Sequence, residues 1–502
     1  MQFILLQYNL YERSKREGFF MKKWGFVLLA ATMLTGCNTS EEASEPTKTH
    51  DHAHQGERYH NPQQLLEENV GEQALTFPPL LTPTSTEGDQ IVYELTAQQG
   101  KMTFVDGVET ATYGYNGNFL GPVLRLEQGQ QVTVRLTNDL PEPTTFHWHG
   151  LEVAGDARDG GPHAVIEPGA TETIQFTVNQ QAATLWYHPH PMGYTAKQVY
   201  KGLAGLVYID DANSKSLHLP NDYAINDFPI ILQDRTLLDG ELSYEKVANT
   251  MSTLGETVMI NGVVNPVLTV PKEKVRLRIL NGSNALTYYL KFENDMPFQL
   301  LATDGGFLKE ASELTKLTLG AGERVEILVD LAQIEGDTIA LLNNDTVLMP
   351  IHLAGEAKEL SYDTELNNAV VPDDVAQLEP TKTITMEGMT ENFLLNGQAF
   401  EPDRIDLRQK QGVTEIWEIE NIISDEGAMA HPFHIHGTQF LVVSVNGEKP
   451  DPSLQGYKDT ITLQPMDKVR IAVRFPEKGI YMFHCHILEH EDVGMMGQIE
   501  VY

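Results

Sequence analysis

Cysteine is nearly absent from this 502-residue chain, which has only Cys37 and Cys485. Cys37 ends what reads as an export signal, so Cys485 has no partner and a disulfide framework is excluded. Basic residues are also scarce. Lys and Arg number 35 against 70 Asp and Glu, a formal charge of -35. That balance argues against nucleic acid and anionic lipid as partners and favours cations, within the limits of salt screening. The apolar run from Trp24 to Leu34 is too short to cross a bilayer, and no long amphipathic helical pattern is present.

The beginning of the chain reads as an address. Met21-Lys22-Lys23, the short apolar run and Leu34-Thr35-Gly36-Cys37 form a signal ending like a bacterial lipobox. Residues 1–37 are thus the signal region, with the true start at Met21 and cleavage before a lipidated Cys37. The expected location is the outer face of the bacterial cell membrane, with the lipid at Cys37 as the only membrane attachment. Residues 38–81, polar and rich in Glu, Thr, Pro and His, read as a tether. Its His50, His52 and His54 either scavenge metal ions or are merely solvated.

Beyond the tether, short alternating runs are separated by Gly, Pro and Asn turns. Gln130 to Thr137, with Val132, Val134 and Leu136 on one face, is typical. Period-two alternation with frequent turns signals an all-β sandwich. The landmarks also recur. Asn116-Gly117, Asn261-Gly262 and Asn396-Gly397 stand 145 and 135 residues apart, and an alternating charged strand follows each. A repeat of that length marks a duplicated domain. Three consecutive β-sandwiches are expected, at 82–212, 224–360 and 380–502.

Seventeen histidines are present, and ten fall in four clusters. These are His147-Trp148-His149, His188-Pro189-His190, His431-Pro432-Phe433-His434-Ile435-His436 and His484-Cys485-His486-Ile487-Leu488-Glu489-His490. Between the second and third clusters only His218 and His352 occur. A thiolate, two imidazoles and a weak methionine are the ligands of a mononuclear blue-copper site. In a strand, Cys485 faces away from His484 and His486. His431, three residues before His434, likewise faces away from it. His431, Cys485, His490 and Met495 therefore form one site inside the third sandwich. The four His-x-His pairs supply eight imidazoles, too many for one ion and suited to about three copper ions. They should meet where the first and third sandwiches face each other. A structural zinc site uses four ligands per ion and explains this pattern less well.

With these four motifs intact, residues from about 80 to Tyr502 resemble the multicopper oxidases of the bacterial three-domain laccase, copper-efflux and spore-coat type. The resemblance implies three cupredoxin-like Greek-key β-sandwiches and four copper ions. It implies that His431, Cys485, His490 and Met495 hold the type 1 copper, and that His147 and His434 hold the type 2 copper. His149, His188, His190, His436, His484 and His486 would hold the type 3 pair. It also implies laccase-like oxidation of phenols, aromatic amines or low-valent metal ions (Cu(I), Fe(II), Mn(II)), with dioxygen reduced to water by four electrons, in a monomer. Asp159 and Glu491 match positions assisting proton delivery; the alternatives are a turn aspartate and a solvated loop acid. Trp148 and Phe433 read as packing residues rather than electron carriers.

The chain departs from the copper-efflux subfamily in two places. No methionine-rich insertion lies between Leu353 and Asn396, where only Met386 and Met389 occur. Gly427-Ala428-Met429 keeps that subfamily's methionine but not the acid before it, leaving Asp425 and Glu426 as possible substitutes. Two other function classes compete. A non-catalytic copper-sequestering surface lipoprotein needs ligands but no Cys–His link between sites. A copper nitrite reductase shares the sandwich but is usually two-domain and trimeric.

Overall fold

The computed structural model describes Tyr59–His60 and residues 66–88, 90–367 and 378–502. The signal, Cys37 and the His50, His52 and His54 run lie outside the described residues. The described chain forms three sandwiches, each of two β-sheets closing on one apolar core.

In the first sandwich, one sheet orders the strands Ser85–Glu87, Gln90–Val105, Gln131–Asp139 and Thr171–Thr177. The other orders Leu124–Glu127, Gly205–Asp210, Ala183–His188 and His147–His149. Along Gln131–Asp139 burial alternates as the sequence does, with Val132, Val134 and Leu136 inside. Each such side chain contributes about 1.5–3 kcal/mol relative to remaining exposed. The middle sandwich has seven- and six-stranded sheets, and the third has six- and five-stranded sheets.

The repeat holds at atomic detail. Asn116, Asn261 and Asn396 all adopt left-handed backbone, with φ of 54, 52 and 52°, a region asparagine tolerates better than most residues. Each turns its Oδ1 to accept a strand N–H, from Thr96, Ile231 and Thr385 respectively. A second asparagine recurs at the end of the charged strand. Nδ2 of Asn138, Asn281 and Asn421 bridges two carbonyls: Glu142 and Ile166, Leu286 and Leu319, and Met429 and Leu463. The cross-strand pairs Thr144 with Ile166, Tyr288 with Leu319 and His431 with Leu463 therefore correspond.

One expectation is corrected. The polar stretch read as tether to residue 81 is docked from residue 66. Leu66 and Leu75 are buried in the middle core, and Gln73–Ala74 pairs in parallel with Pro266–Val267. Asn69 donates to the carbonyls of Pro266 and Leu348 at 2.7 and 2.6 Å, completing the sheet edge. A few apolar residues within a polar stretch suffice to dock it. Tyr59–His60 also pairs with Ala428–Met429.

Among the described residues helices are few and short. Thr195–Tyr200 and Leu488–Asp492 matter because each follows a histidine cluster. The Asp492 carboxylate accepts from the N–H groups of Thr195 and Ala196 at 3.0 and 2.9 Å, capping the first helix. Arg235 of the middle sandwich donates to the carbonyls of Tyr200 and Val199 at its far end. The helix is thereby held by both other sandwiches.

Candidate metal centres

The strand Gly479–Cys485 runs antiparallel to His431–Ile435, with Phe433 opposite Cys485 and His434 opposite His484. Alternation sends Cys485 and Phe433 into the third core. After Cys485 the chain turns into Leu488–Asp492, which carries His490 Nδ1 to 3.5 Å from the thiol sulfur. The same loop returns Met495, whose carbonyl accepts from Cys485 N–H at 3.1 Å. The rings of His431 and His490 lie 5.3 Å apart, and all four side chains are fully buried.

The surroundings fix the histidine tautomers. His490 Nε2 donates to the Met251 carbonyl of the middle sandwich at 2.8 Å, so its Nδ1 lone pair faces the sulfur. His431 Nδ1 donates to Asn421 Oδ1 at 3.1 Å, and its Nε2 is buried without a partner. Phe393 stacks on His490 at 3.7 Å. Burial pushes the Cys485 thiol well above its ordinary range. A soft cation is what would draw off that proton.

The second centre assembles between sandwiches. His147 stands opposite His188 in the first, in the register that pairs His434 with His484 in the third. His147 stacks on His436 at 3.8 Å and His149 on His434 at 3.7 Å. On six of the eight histidines the outward nitrogen is hydrogen-bonded. Nδ1 of His147, His434, His188 and His484 donates to the carbonyls of Asp159, Asp459, Pro189 and Cys485 at 2.8–2.9 Å. His436 Nδ1 meets Asp159 Oδ2 at 2.8 Å and His149 Nε2 meets Asp459 Oδ1 at 2.9 Å. His190 Nδ1 lies 3.3 Å from Glu491 Oε1.

The inward nitrogens face one another. His484 Nε2 is 3.1 Å from Nε2 of both His190 and His436, and His149 Nδ1 is 3.4 Å from His188 Nε2. Nε2 of His147 and His434 and both nitrogens of His486 have no partner. Burial pushes His147, His484 and His486 down to about 3, so protons do not fill these gaps near neutrality. Opposed lone pairs in a buried space fit metal cations, and carbonyl- or carboxylate-bound imidazoles are how metal-ligating histidines are oriented. Overlapping ligand sets, such as His147, His434 and His436 beside His190, His436 and His484, suit several ions.

The acids divide by environment. Asp159 is buried and pushed up to about 8 by that burial, and its Oδ1 is unpartnered. Glu491 is buried too, not a solvated loop acid, and burial raises it well above its ordinary value; its Oε2 is 3.5 Å from His484 Nδ1. Asp459 was not singled out in the sequence. It repeats the role of Asp159 from the opposite side: each gives its carbonyl to a histidine of its own sandwich and its carboxylate to one of the other. Asp459, however, is clamped by Arg324 of the middle sandwich, Nη1 to Oδ1 at 2.6 Å and Nη2 to Oδ2 at 2.7 Å.

The middle sandwich thus supports both centres without supplying a ligand. Met251 orients His490, Arg324 fixes Asp459, and Gly322 leaves room for His486, whose ring would lie 2.9 Å from an added Cβ. His218 pairs with Asp363 at the surface and His352 is exposed, so neither joins a centre. Asn421 could have been found, since it recurs at the places of Asn138 and Asn281. Asp459 and Arg324 had no distinguishing signal among seventy acids and thirty-five bases. Glu426 does not stand free over the site. It accepts from the N–H groups of Glu391 and Thr390 and from the side chains of Thr390 and Asn392, which hold it down to about 2. Asp425 is exposed, and Met386 and Met429 are packed in the core.

Three linked β-sandwiches with one buried thiol–imidazole centre and one shared histidine centre are the architecture of a copper-binding oxidoreductase. Family profiles described as multicopper oxidase match residues 96–214, 226–347 and 371–502. The chain is 48% identical over 445 residues to a multicopper oxidase of Staphylococcus haemolyticus, covering 88% of this chain and 96% of that protein. A multi-copper oxidase structure from Pediococcus acidilactici matches with a TM-score of 0.84 at 41% identity, over 89% and 96% of the two chains. A laccase-like multi-copper oxidase from the lignin-degrading bacterium Ochrobactrum, with activity towards lignin model compounds, matches at 0.77 and 34% identity over 85% and 100%. The chain belongs to the multicopper oxidase family.

Proposed function

We propose that the protein is a four-copper, laccase-like oxidase. His431, Cys485, His490 and Met495 hold the type 1 ion, and His147 and His434 the type 2 ion. His149, His188, His190, His436, His484 and His486 hold the type 3 pair. When bound, these ions supply one-electron oxidation of a donor and four-electron reduction of dioxygen to water. The observation that carries the reading is the ring of inward imidazole nitrogens, on six of eight histidines hydrogen-bonded from behind, covalently joined to the only described thiol through His484-Cys485-His486.

The chain itself contributes wiring, exclusion of water and protons. Cys485 belongs to one centre and its two neighbours to the other, so the centres are one residue apart along the backbone. Every proposed ligand is buried, which keeps bulk water away. Asp159 and Glu491 are placed to hold and pass protons at His436 Nδ1 and between His190 and His484. The donor approaches the His490 side, where Met251 and Phe393 cover the ligand. With Met386 and Met429 packed inside and Glu426 engaged, a dedicated cuprous site has little support. Phenols and aromatic amines are the favoured donors, with Cu(I), Fe(II) and Mn(II) also in the panel; the Ochrobactrum relative is described as acting on lignin model compounds and lignosulfonate.

Export with a lipid anchor at Cys37 and action as a monomer complete the proposal, resting on Leu34-Thr35-Gly36-Cys37 for the anchor. Metabolic lipid labelling of the native chain and Cys37→Ala tests it; equal labelling of the two would remove the anchor. The central test is a copper count with oxygen-electrode assays across phenolic, amine, cuprous and ferrous donors. Four ions per chain and oxygen uptake are expected. A fully loaded sample that consumes no oxygen with any donor would leave a sequestering protein instead, and nitrite turnover without oxygen turnover a reductase.

A further inference from the structure

Three residues before each turn asparagine the repeat places a core side chain: Tyr113, Val258 and Phe393, each buried in its own sandwich. Burial at this position is therefore a property of the frame. What is particular to the third sandwich is the partner. The Phe393 ring lies flat on that of His490, with centroids 3.7 Å apart and planes 20° from parallel. The approach to the residue differs as well. The strands Val108–Tyr115 and Thr257–Ile260 run straight through Tyr113 and Val258. In the third sandwich the strand Lys382–Glu387 ends at Gly388, and a tight loop precedes Phe393. Gly388 has φ of 127°, and an added Cβ there would lie 2.3 Å from the Asn392 carbonyl oxygen. Only glycine closes this loop.

The facing segment is longer too. His431 stands ten positions after Asn421, whereas Thr144 stands six after Asn138 and Tyr288 seven after Asn281. The extra residues form a turn in which Ser424 and Gly427 exchange N–H and carbonyl bonds at 3.0 and 3.1 Å. Ser424 Oγ accepts from the Glu426 N–H at 3.2 Å, which fixes Glu426 within the turn. From there its carboxylate reaches the other loop. Oε2 accepts from the N–H groups of Thr390 and Glu391, both at 3.1 Å, and from the Thr390 hydroxyl at 2.9 Å. Oε1 accepts from the Asn392 amide at 2.5 Å. The two departures from the frame thus meet. The turn that leads into His431 grips the loop that leads into Phe393, and Phe393 rests on His490.

We propose that Glu426 is a positioning residue that, through residues 390–392, holds Phe393 on His490, and that this stack raises the reduction potential of the type 1 site. The inference rests on the type 1 assignment above. The apolar shell around a metal controls solvent access and local dielectric, and through them its potential. Phe393 keeps water off one face of the His490 ring, and a drier site disfavours the more highly charged, oxidised ion. The clamp thereby widens the range of donors, since a higher potential admits phenols that hold their electrons more tightly. It also gives Glu426 a use other than binding a cuprous ion.

The test is a redox titration of the blue band in the copper-loaded full chain, with a metal count on each variant. Phe393→Leu should lower the potential, shift the band and slow oxidation of a phenolic donor roughly 10-fold. Glu426→Ala should also lower the potential, although loss of a nearby negative charge alone would raise it. Glu426→Gln loses the charge but keeps an oxygen for Thr390 and Glu391, and should show no fall. The double variant Phe393→Leu/Glu426→Ala should fall no further than Phe393→Leu, because both changes remove the same contact. Asn392→Ala removes one of the four bonds and keeps the charge. It carries the same test, with a smaller fall, if Glu426→Ala does not hold copper. An unchanged potential in Phe393→Leu, an equal rise in both Glu426 variants, or additive falls in the double variant would overturn the clamp. Native copper-loaded protein with no blue band would bring down the type 1 reading instead, and the clamp with it.

Discussion

The first and third sandwiches share a bridging asparagine, a cross-strand pair of imidazoles and two His-x-His steps, yet only the third encloses a buried thiol with two further imidazoles. Matching cross-strand pairs show how little separates them. His431 takes the place of Thr144, and Cys485 the place of Pro189. Asn138 turns its Oδ1 to the Leu140 N–H, whereas Asn421 turns the same atom to His431. A few substitutions on a repeated frame convert a half-cluster into a half-cluster with the proposed second metal centre behind it. The middle sandwich shows the opposite outcome, with Lys291 and Leu342 where the imidazole pair would stand.

The largest expected effect comes from making the third sandwich resemble the first. Cys485→Ser should abolish the blue absorption and reduce oxygen uptake to background, while the cluster ions remain on a metal count. Survival of the blue band would mean that another residue is the soft ligand.

The two aspartates offer a sharper comparison. Arg324→Leu leaves the buried Asp459 carboxylate without its cation and should destabilise the protein by about 3–5 kcal/mol in denaturant titration. Asp159→Asn removes no such pair. It should leave the denaturation midpoint nearly in place but slow oxygen reduction by roughly 10–100-fold, the usual scale for residues behind metal ligands. If both variants lose stability alike, the division between a proton-holding and a charge-fixing aspartate is wrong.

Metal-free protein should show the cost of the empty imidazole shell. All ten clustered histidines are pushed down by burial, four of them to about 3 from 6.5. The unfolded chain therefore binds more protons, and stability is lost as pH falls from 6.5 towards 3. Glu152, Asp159 and Asp492, raised to about 7, 8 and 7 by burial, act in the opposite sense, losing stability as pH rises towards those values. Thermal denaturation of metal-free protein should peak near pH ~6.5, and copper should flatten the acid side. Unchanged stability down to pH ~4 would contradict the buried, neutral histidines.

The smallest effect separates the two asparagines. Asn138→Ala and Asn421→Ala each orphan two carbonyls and should cost about 1–3 kcal/mol per orphaned group. Only Asn421→Ala should also shift the blue absorption, through the freed His431 ring. A shift in both would show that the asparagine acts through the fold rather than through that contact.

Much of the arrangement was legible in the residues. Period-two alternation placed Val132, Val134 and Leu136 inside, and the three Asn-Gly turns marked the triplication. Parity separated His431 from His434, and Cys485 from His484 and His486, because a strand's side-chain period is fixed. What was not legible depended on distant partners. Leu66, Leu75 and Asn69 read as tether because their docking surface is almost two hundred residues away. Asp459 and Arg324 look like any surface pair until folding buries them against His149.

The sequence by itself determined the strands, the three-fold repeat and the face on which each clustered histidine and Cys485 lies, since these follow from local backbone geometry. Only the tertiary structure decided which nitrogen of each histidine is free, which acid keeps its proton and which is clamped. Those properties depend on burial and on charges from other sandwiches. Asp159 and Asp459 are the same residue type, and only the guanidinium that reaches Asp459 from the middle sandwich tells them apart.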